Sequence, residues 1–123
     1  MYVVGINNSG FSDESRCGKF AITGDIEIEG SVAGLIDFTK DDLVEVPNNY
    51  CFKSLFEGCS GLAKAPYVPF LNLKEYCYDS MFKGCTKIKQ APELLASKLV
   101  TGCYKDMFNG CSSLNSVKAM FSS

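Results

Sequence analysis

The chain has 123 residues, 46% of them apolar and 21% charged, with a formal net charge of −2. That is enough material for one domain with a buried core and too apolar for disorder, and no run reaches the roughly 18 apolar residues that a membrane span needs. Charge is unevenly divided: residues 1–50 hold nine acids and three bases (−6) and residues 51–123 hold nine lysines and five acids (+4). The basic half is dilute lysine with no arginine to fork onto phosphates or base edges, which argues against a nucleic-acid partner.

In chain order, Met1-Tyr2-Val3-Val4-Gly5 is too short, and lacks the basic flank, for a secretory signal, so an exported protein would carry its signal outside this chain. The first 18 residues, rich in Asn, Ser and Gly, read as loop. From Phe20 to Gly30 apolar and polar residues alternate, with Ile26 and Ile28 on one side and Asp25, Glu27 and Glu29 on the other, the pattern of a half-buried strand. Thr23-Gly24-Asp25 is a turn from a preceding strand through Phe20 and Ile22. Leu35, Ile36, Phe38, Leu43 and Val44 carry apolar surface onward, and Val46-Pro47-Asn48-Asn49 forms a turn with Asn48 or Asn49 as the N-cap of a helix. Residues 1–50 thus read as a β-rich N-terminal cap.

From Cys51 onward the sequence repeats at 26 residues. Repeat one runs over 51–76, repeat two over 77–102, and an incomplete repeat three over 103–123. Cys51, Cys77 and Cys103 align, as do Phe56, Phe82 and Phe108, then Gly58, Gly84 and Gly110, then Cys59, Cys85 and Cys111. Leu55, Met81 and Met107 make a further column, followed by Leu62, Ile88 and Leu114; Ala65-Pro66 matches Ala91-Pro92, and repeat three departs there with Val117-Lys118. A period of this size marks a repeat architecture. Cys77, Met81 and Cys85, at i, i+4 and i+8, would share one face of a short helix. The Gly column then marks its left-handed end, and a short strand begins at Leu62 or Ile88. No single repeat can bury its own apolar stripe, so the repeats are expected to stack around one continuous core.

The strings Cys77-Tyr78-Asp79-Ser80-Met81-Phe82-Lys83-Gly84-Cys85-Thr86-Lys87-Ile88 and Ala91-Pro92-Glu93-Leu94 resemble the BspA-like leucine-rich-repeat family, with its pattern C-Y-x-x-M-F-x-G-C-x-x-L-x-x-A-P-x-L. Repeat two fits nearly throughout, repeat one substitutes Phe52 and Leu55, and repeat three fits as far as Leu114. The resemblance implies an α/β, leucine-rich-repeat-like solenoid of 26-residue rungs, each a short helix, a turn and a short strand. It also implies a bacterial surface or secreted protein of Bacteroides type, used for adhesion or recognition; related repeats occur in phage and in eukaryotic parasites.

Little in the chain points to catalysis. It has no histidine, which removes Ser-His and Cys-His nucleophile pairs and the commonest metal ligand. Three readings compete for the C-x7-C pairs. Zinc is disfavoured because close C-x2–4-C pairs are absent. Disulfides are sterically possible between stacked repeats, at about 5 Å between equivalent Cα atoms, but three cysteines per column would strand one. Buried free thiols acting as small apolar side chains fit both columns and are favoured. Cys17 is the odd cysteine, expected to be exposed. Asp25, Glu27 and Glu29, like Asp41 and Asp42, lack the spacing of a calcium loop, and Glu75 with Asp79 reads as surface rather than as a catalytic pair. No metal or other cofactor is implied.

The expectation is therefore a non-enzymatic module that binds a protein or glycan at the cell surface or outside the cell. Its candidate binding residues face outward from the strand surface: Lys64, Gln90 and Ser116 in one column, Pro66, Pro92 and Lys118 in the next, with Tyr67 and Glu93 beside them. The alternative is a structural component of a larger assembly, a phage particle or a longer repeat array, that self-associates through an open C-terminal repeat. A thiol enzyme is the third reading and would need a cysteine of depressed pKa.

Overall fold

The computed structural model describes residues 19–20, 26–28, 30–32 and 45–117. Two strands are present among them, β1 (Ile26–Glu27) and β2 (Leu62–Lys64), which pair in parallel with Ile26 opposite Leu62 and Glu27 opposite Lys64. Single parallel bridges join Ser31 to Tyr67, Glu45 to Asn72 and Gln90 to Ser116.

The segments expected as short helices are not helical. Over 50–59, 76–85 and 102–111 the backbone runs as consecutive turns, with a positive φ at every fourth residue: Tyr50, Ser54 and Gly58, then Tyr76, Ser80 and Gly84, then Gly102, Asp106 and Gly110. An α-helix would send every N–H four residues back along its own chain. Here odd-numbered N–H groups close local three-residue bonds, such as Leu55 to the Phe52 carbonyl at 3.2 Å and Met81 to that of Tyr78 at 3.1 Å. Even-numbered N–H groups point to the next repeat: Phe52 donates to the Cys77 carbonyl at 2.8 Å, Ser54 to Asp79 at 2.9 Å and Phe56 to Met81 at 2.9 Å. Tyr78, Ser80 and Phe82 do the same to Cys103, Lys105 and Met107 at 3.1, 2.8 and 3.0 Å. A four-residue turn period thus puts the cysteine and Leu/Met columns on one side, as the i, i+4 spacing requires, through a different hydrogen-bond plan.

Those columns form the core. Cys51, Cys77, Cys59 and Cys85 are buried, as are Leu55, Met81, Met107, Leu62 and Ile88. Aromatic rings stack down the same direction: Phe20 on Phe56 at 5.4 Å, Phe56 on Phe82 at 5.5 Å and Phe82 on Phe108 at 5.8 Å between centroids, the last pair inclined by 1°. A second column runs Phe52, Tyr78 and Tyr104. Offset near-parallel rings at this spacing add pair attraction to the burial itself.

Phe20 occupies the place of a repeat phenylalanine. Phe20 to Phe56, Ile26 to Leu62 and Ser31 to Tyr67 are each 36 residues apart, whereas Glu45 to Asn72 are 27 apart. The difference, 36 less 27, leaves nine extra residues between Val32 and Glu45. The described part of the N-terminal region therefore lies along repeat one in the manner of a further repeat with an insertion.

Gly102 is required by its neighbour. Its column holds Tyr50 and Tyr76, whose rings stack at 5.0 Å with 4° between planes, and Lys105 lies over the exposed side of Tyr76 at 5.9 Å. Gly102 has φ +62°, and a Cβ there would overlap the Tyr76 ring. Gly102→Ala is expected to cost about 2 kcal/mol, part from the left-handed backbone and part from expelling the ring. Urea unfolding of Gly102→Ala, Tyr76→Ala and the double variant should show the two losses overlapping by about 1 kcal/mol; strict additivity would disprove the contact.

Candidate functional site

Lys64, Tyr67, Gln90, Glu93 and Ser116 are exposed, along the face where the parallel pairings run. Pro66 and Pro92 are not: both are buried, which corrects the expectation that they face outward. Beyond Lys64 the inward positions are Pro66, Val68 and Phe70, and in repeat two Pro92, Leu94 and Ala96. A proline ring brings apolar surface and no N–H, so it enters this core without stranding a donor. Lys118 lies outside the described residues, as do Cys17, Asp25, Glu29, Asp41 and Asp42.

Tyr67 is the distinctive member of the face. Its N–H donates to the Gly30 carbonyl at 2.7 Å, and its own carbonyl accepts from Val32 at 2.9 Å, so both its backbone groups are held by the neighbouring 30–32 segment. Its side chain is nevertheless 62% exposed. An aromatic ring presented on a fixed backbone costs little conformational entropy when a partner covers it. Lys64 and Glu93 supply opposite charges on the same strand surface.

The six described cysteines are free thiols and all buried. Three of them bond between units: Cys59 Sγ donates to the Phe20 carbonyl at 3.3 Å, Cys85 to Phe56 at 3.1 Å and Cys111 to Phe82 at 3.1 Å. Burial pushes the Cys77 and Cys85 thiols up from their ordinary 9.0 to about 12, and raises Cys111 as well. A nucleophilic thiol needs the opposite shift. Burial likewise holds the Tyr78 phenol well above its usual range, and its hydroxyl meets no hydrogen-bond partner among the described residues. No group of three His, Cys, Asp or Glu among the described residues is arranged to hold a metal ion, and no helix among them is long and apolar enough to cross a membrane.

Two features escaped sequence reasoning. One is the stack of Tyr50 on Tyr76, flanked by Lys53 at 5.3 Å from the Tyr50 centroid and by Lys105; the aligned tyrosines were visible, but their facing rings depend on the left-handed turns. The other is an open depression of about 480 Å³ lined by Asn49, Leu73, Lys74, Glu75, Leu99, Val100 and Thr101. In it Asn49 accepts the Glu75 N–H at 3.1 Å instead of capping a helix, and Lys74 pairs with Glu45 at 3.1 Å. Glu75 is exposed there, while the Asp79 carboxylate accepts the Ser80 hydroxyl at 2.9 Å.

Comparison with protein-family models, with curated proteins and with solved structures finds no match to this chain.

Proposed function

We propose that the chain is a non-enzymatic binding module of adhesion type, built as a repeat solenoid, that takes a protein or glycan on the exposed face around Tyr67. The observation that carries this reading is a large aromatic side chain held out on a doubly bonded backbone. Rigid aromatic anchors with polar neighbours are the residues that dominate binding energy at interfaces. A tyrosine ring packs equally well into an apolar protein pocket or against the apolar face of a sugar. Lys64 and Glu93 then set orientation and partner choice rather than affinity. The resemblance of the repeats to BspA-like proteins supports a place at the bacterial surface or outside the cell.

Binding of the whole chain to a glycan array and a panel of extracellular-matrix proteins tests the proposal. A ligand found there should be weakened by roughly thirtyfold in Tyr67→Ala, equivalent to about 2 kcal/mol, with thermal stability unchanged. Undiminished binding by the variant would place the site elsewhere on the molecule, and no binding to either panel would count against the adhesion reading.

A further inference from the structure

The two cysteine columns differ in what their sulfurs face. In the column Cys59, Cys85 and Cys111, each thiol donates to a carbonyl, that of Phe20, Phe56 or Phe82, at 3.1–3.3 Å. Removing those protons would set sulfur lone pairs against carbonyl oxygens, so this column is held as thiols. In the column Cys51, Cys77 and Cys103 all three residues are buried, and the Cys77 and Cys103 sulfurs donate to no described acceptor. Cys77 lies within electrostatic reach of both its column neighbours, and the backbone N–H groups of Lys74 and Cys77 are placed to favour its thiolate. Beside this column stands the Tyr78 hydroxyl, on a residue 1% exposed, without a hydrogen-bond partner among the described residues and close enough to Cys77, Cys51 and Cys103 to feel their charge. A buried O–H left without an acceptor is costly and calls for a reason. A thiolate in this column would supply the acceptor.

The spacing decides what the column can hold. The ribbons are joined by Phe52 donating to Cys77 at 2.8 Å and Tyr78 to Cys103 at 3.1 Å, and backbones joined in this way lie about 4.8 Å apart. A disulfide wants its Cβ atoms at about 3.8 Å, so a bridge would have to draw two ribbons together by about 1 Å. A thiolate binds a closed-shell ion such as zinc at about 2.3 Å, so two such bonds in line span about 4.6 Å. A row of sulfurs converges on no single point, in keeping with the absence of a three-ligand site among the described residues. An ion lying between successive sulfurs needs only two ligands. Thiolate sulfur selects soft ions such as copper(I), and the buried setting withholds the water that would complete a larger shell.

We propose that Cys51, Cys77 and Cys103 form a linear-coordination site for copper(I), with one ion in each of the two gaps and the Cys77 thiolate bridging them. Loading breaks three S–H bonds and makes four Cu–S bonds; three protons leave to solvent and no oxidation state changes. Two monovalent ions on three thiolates leave one negative charge, which the Tyr78 hydroxyl offsets by donating to a thiolate of the column. The site lies inside the stack and does not depend on the Tyr67 face.

The test is anaerobic titration of the reduced full chain with copper(I) against a bicinchoninate chelator, followed to equilibrium, with X-ray absorption at the copper edge. Two ions per chain are expected, each with two sulfur neighbours and the near-edge feature of linear coordination. Cys77→Ala should lose both ions and Cys85→Ala should keep both, each variant being checked for folding by near-ultraviolet circular dichroism. Tyr78→Phe keeps the ring and should weaken copper binding by about tenfold, while the urea midpoint of the metal-free chain does not fall. Uptake of one ion per thiol, equal losses from Cys77→Ala and Cys85→Ala, a three-sulfur spectrum, binding unaltered by Tyr78→Phe, or no uptake against the chelator would each overturn it.

Discussion

Replacing Phe82 with alanine is expected to lower the unfolding free energy by about 4 kcal/mol, the cost of emptying a fully buried aromatic site. Phe82 lies between Phe56 and Phe108 at 5.5 and 5.8 Å, with interplanar angles of 6° and 1°, so one truncation removes two ring pairs and leaves a gap in the middle of the column. Phe108 has one such neighbour and is half-buried. Phe108→Ala should cost about half as much, since solvent already reaches the site and less cavity is left behind. Urea unfolding of both variants measures the difference. Equal losses would mean that the rings contribute only burial area and that their order along the stack is irrelevant.

The second large effect is expected from alkali. Desolvation first, then the proximity of Cys103 and Cys51, raises the Cys77 thiol to about 12; desolvation, then Cys111 and Cys59, does the same for Cys85. In the unfolded chain these thiols ionise near their ordinary value of 9.0. Above that pH the unfolded state binds fewer protons than the folded state, so stability falls as pH rises. The stabilisation is complete below pH 9 and is lost as pH climbs toward 12, at about 1.4 kcal/mol per pH unit for each of the two thiols. Urea midpoints measured under reducing conditions should hold steady from pH 7 to 9 and then drop steeply. Cys77→Ala should remove only part of that slope, because the buried Cys85 and Cys111 thiols and, above pH 10, the Tyr78 and Tyr104 phenols are shifted in the same direction. A flat profile through pH 11 would show that the thiols reach water in the folded protein.

The residues that line the core were legible in the sequence because a 26-residue period leaves each inward position in a column, and the cysteine, phenylalanine and glycine columns can be read without coordinates. The local conformation was not. Cys77, Met81 and Cys85 are spaced as on a helix, but a ribbon that turns left-handed at every fourth residue gives the same spacing. Only the Gly58, Gly84 and Gly110 column advertised that conformation; Tyr50, Ser54, Tyr76 and Ser80 adopt positive φ although such side chains rarely do. The N-terminal likeness to a repeat is present in the sequence but out of register. Phe20 and Ile26 keep the six-residue spacing of Phe56 to Leu62, Phe82 to Ile88 and Phe108 to Leu114, but the insertion before Glu45 displaces them from the 26-residue alignment. Of the candidate binding face, Lys64, Tyr67, Gln90, Glu93 and Ser116 are exposed, and Lys118 lies outside the described residues. Pro66 and Pro92 are not exposed, because alternation resets after Lys64, a change that no residue type announces.

Along the turn ribbons the bonds between repeats run one way, so the donor edge of each ribbon matches the acceptor edge of the next; on the strand side they run both ways, as in Tyr67 to Gly30 and Asn115 to Lys89. Length in such a molecule is therefore free to vary only in whole units. Excising residues 77–102 would bring Phe56 over Phe108 and Gly58 over Gly110, and every cut edge would find a counterpart. Adding one residue inside a turn ribbon, by contrast, would move odd-numbered carbonyls to even positions and unseat both aromatic columns together. The nine additional residues fall between Val32 and Glu45, and the described columns on either side of them keep their register. Gene-level gain and loss of 26-residue blocks would thus leave the architecture intact, while single-codon insertions would be confined to the connections.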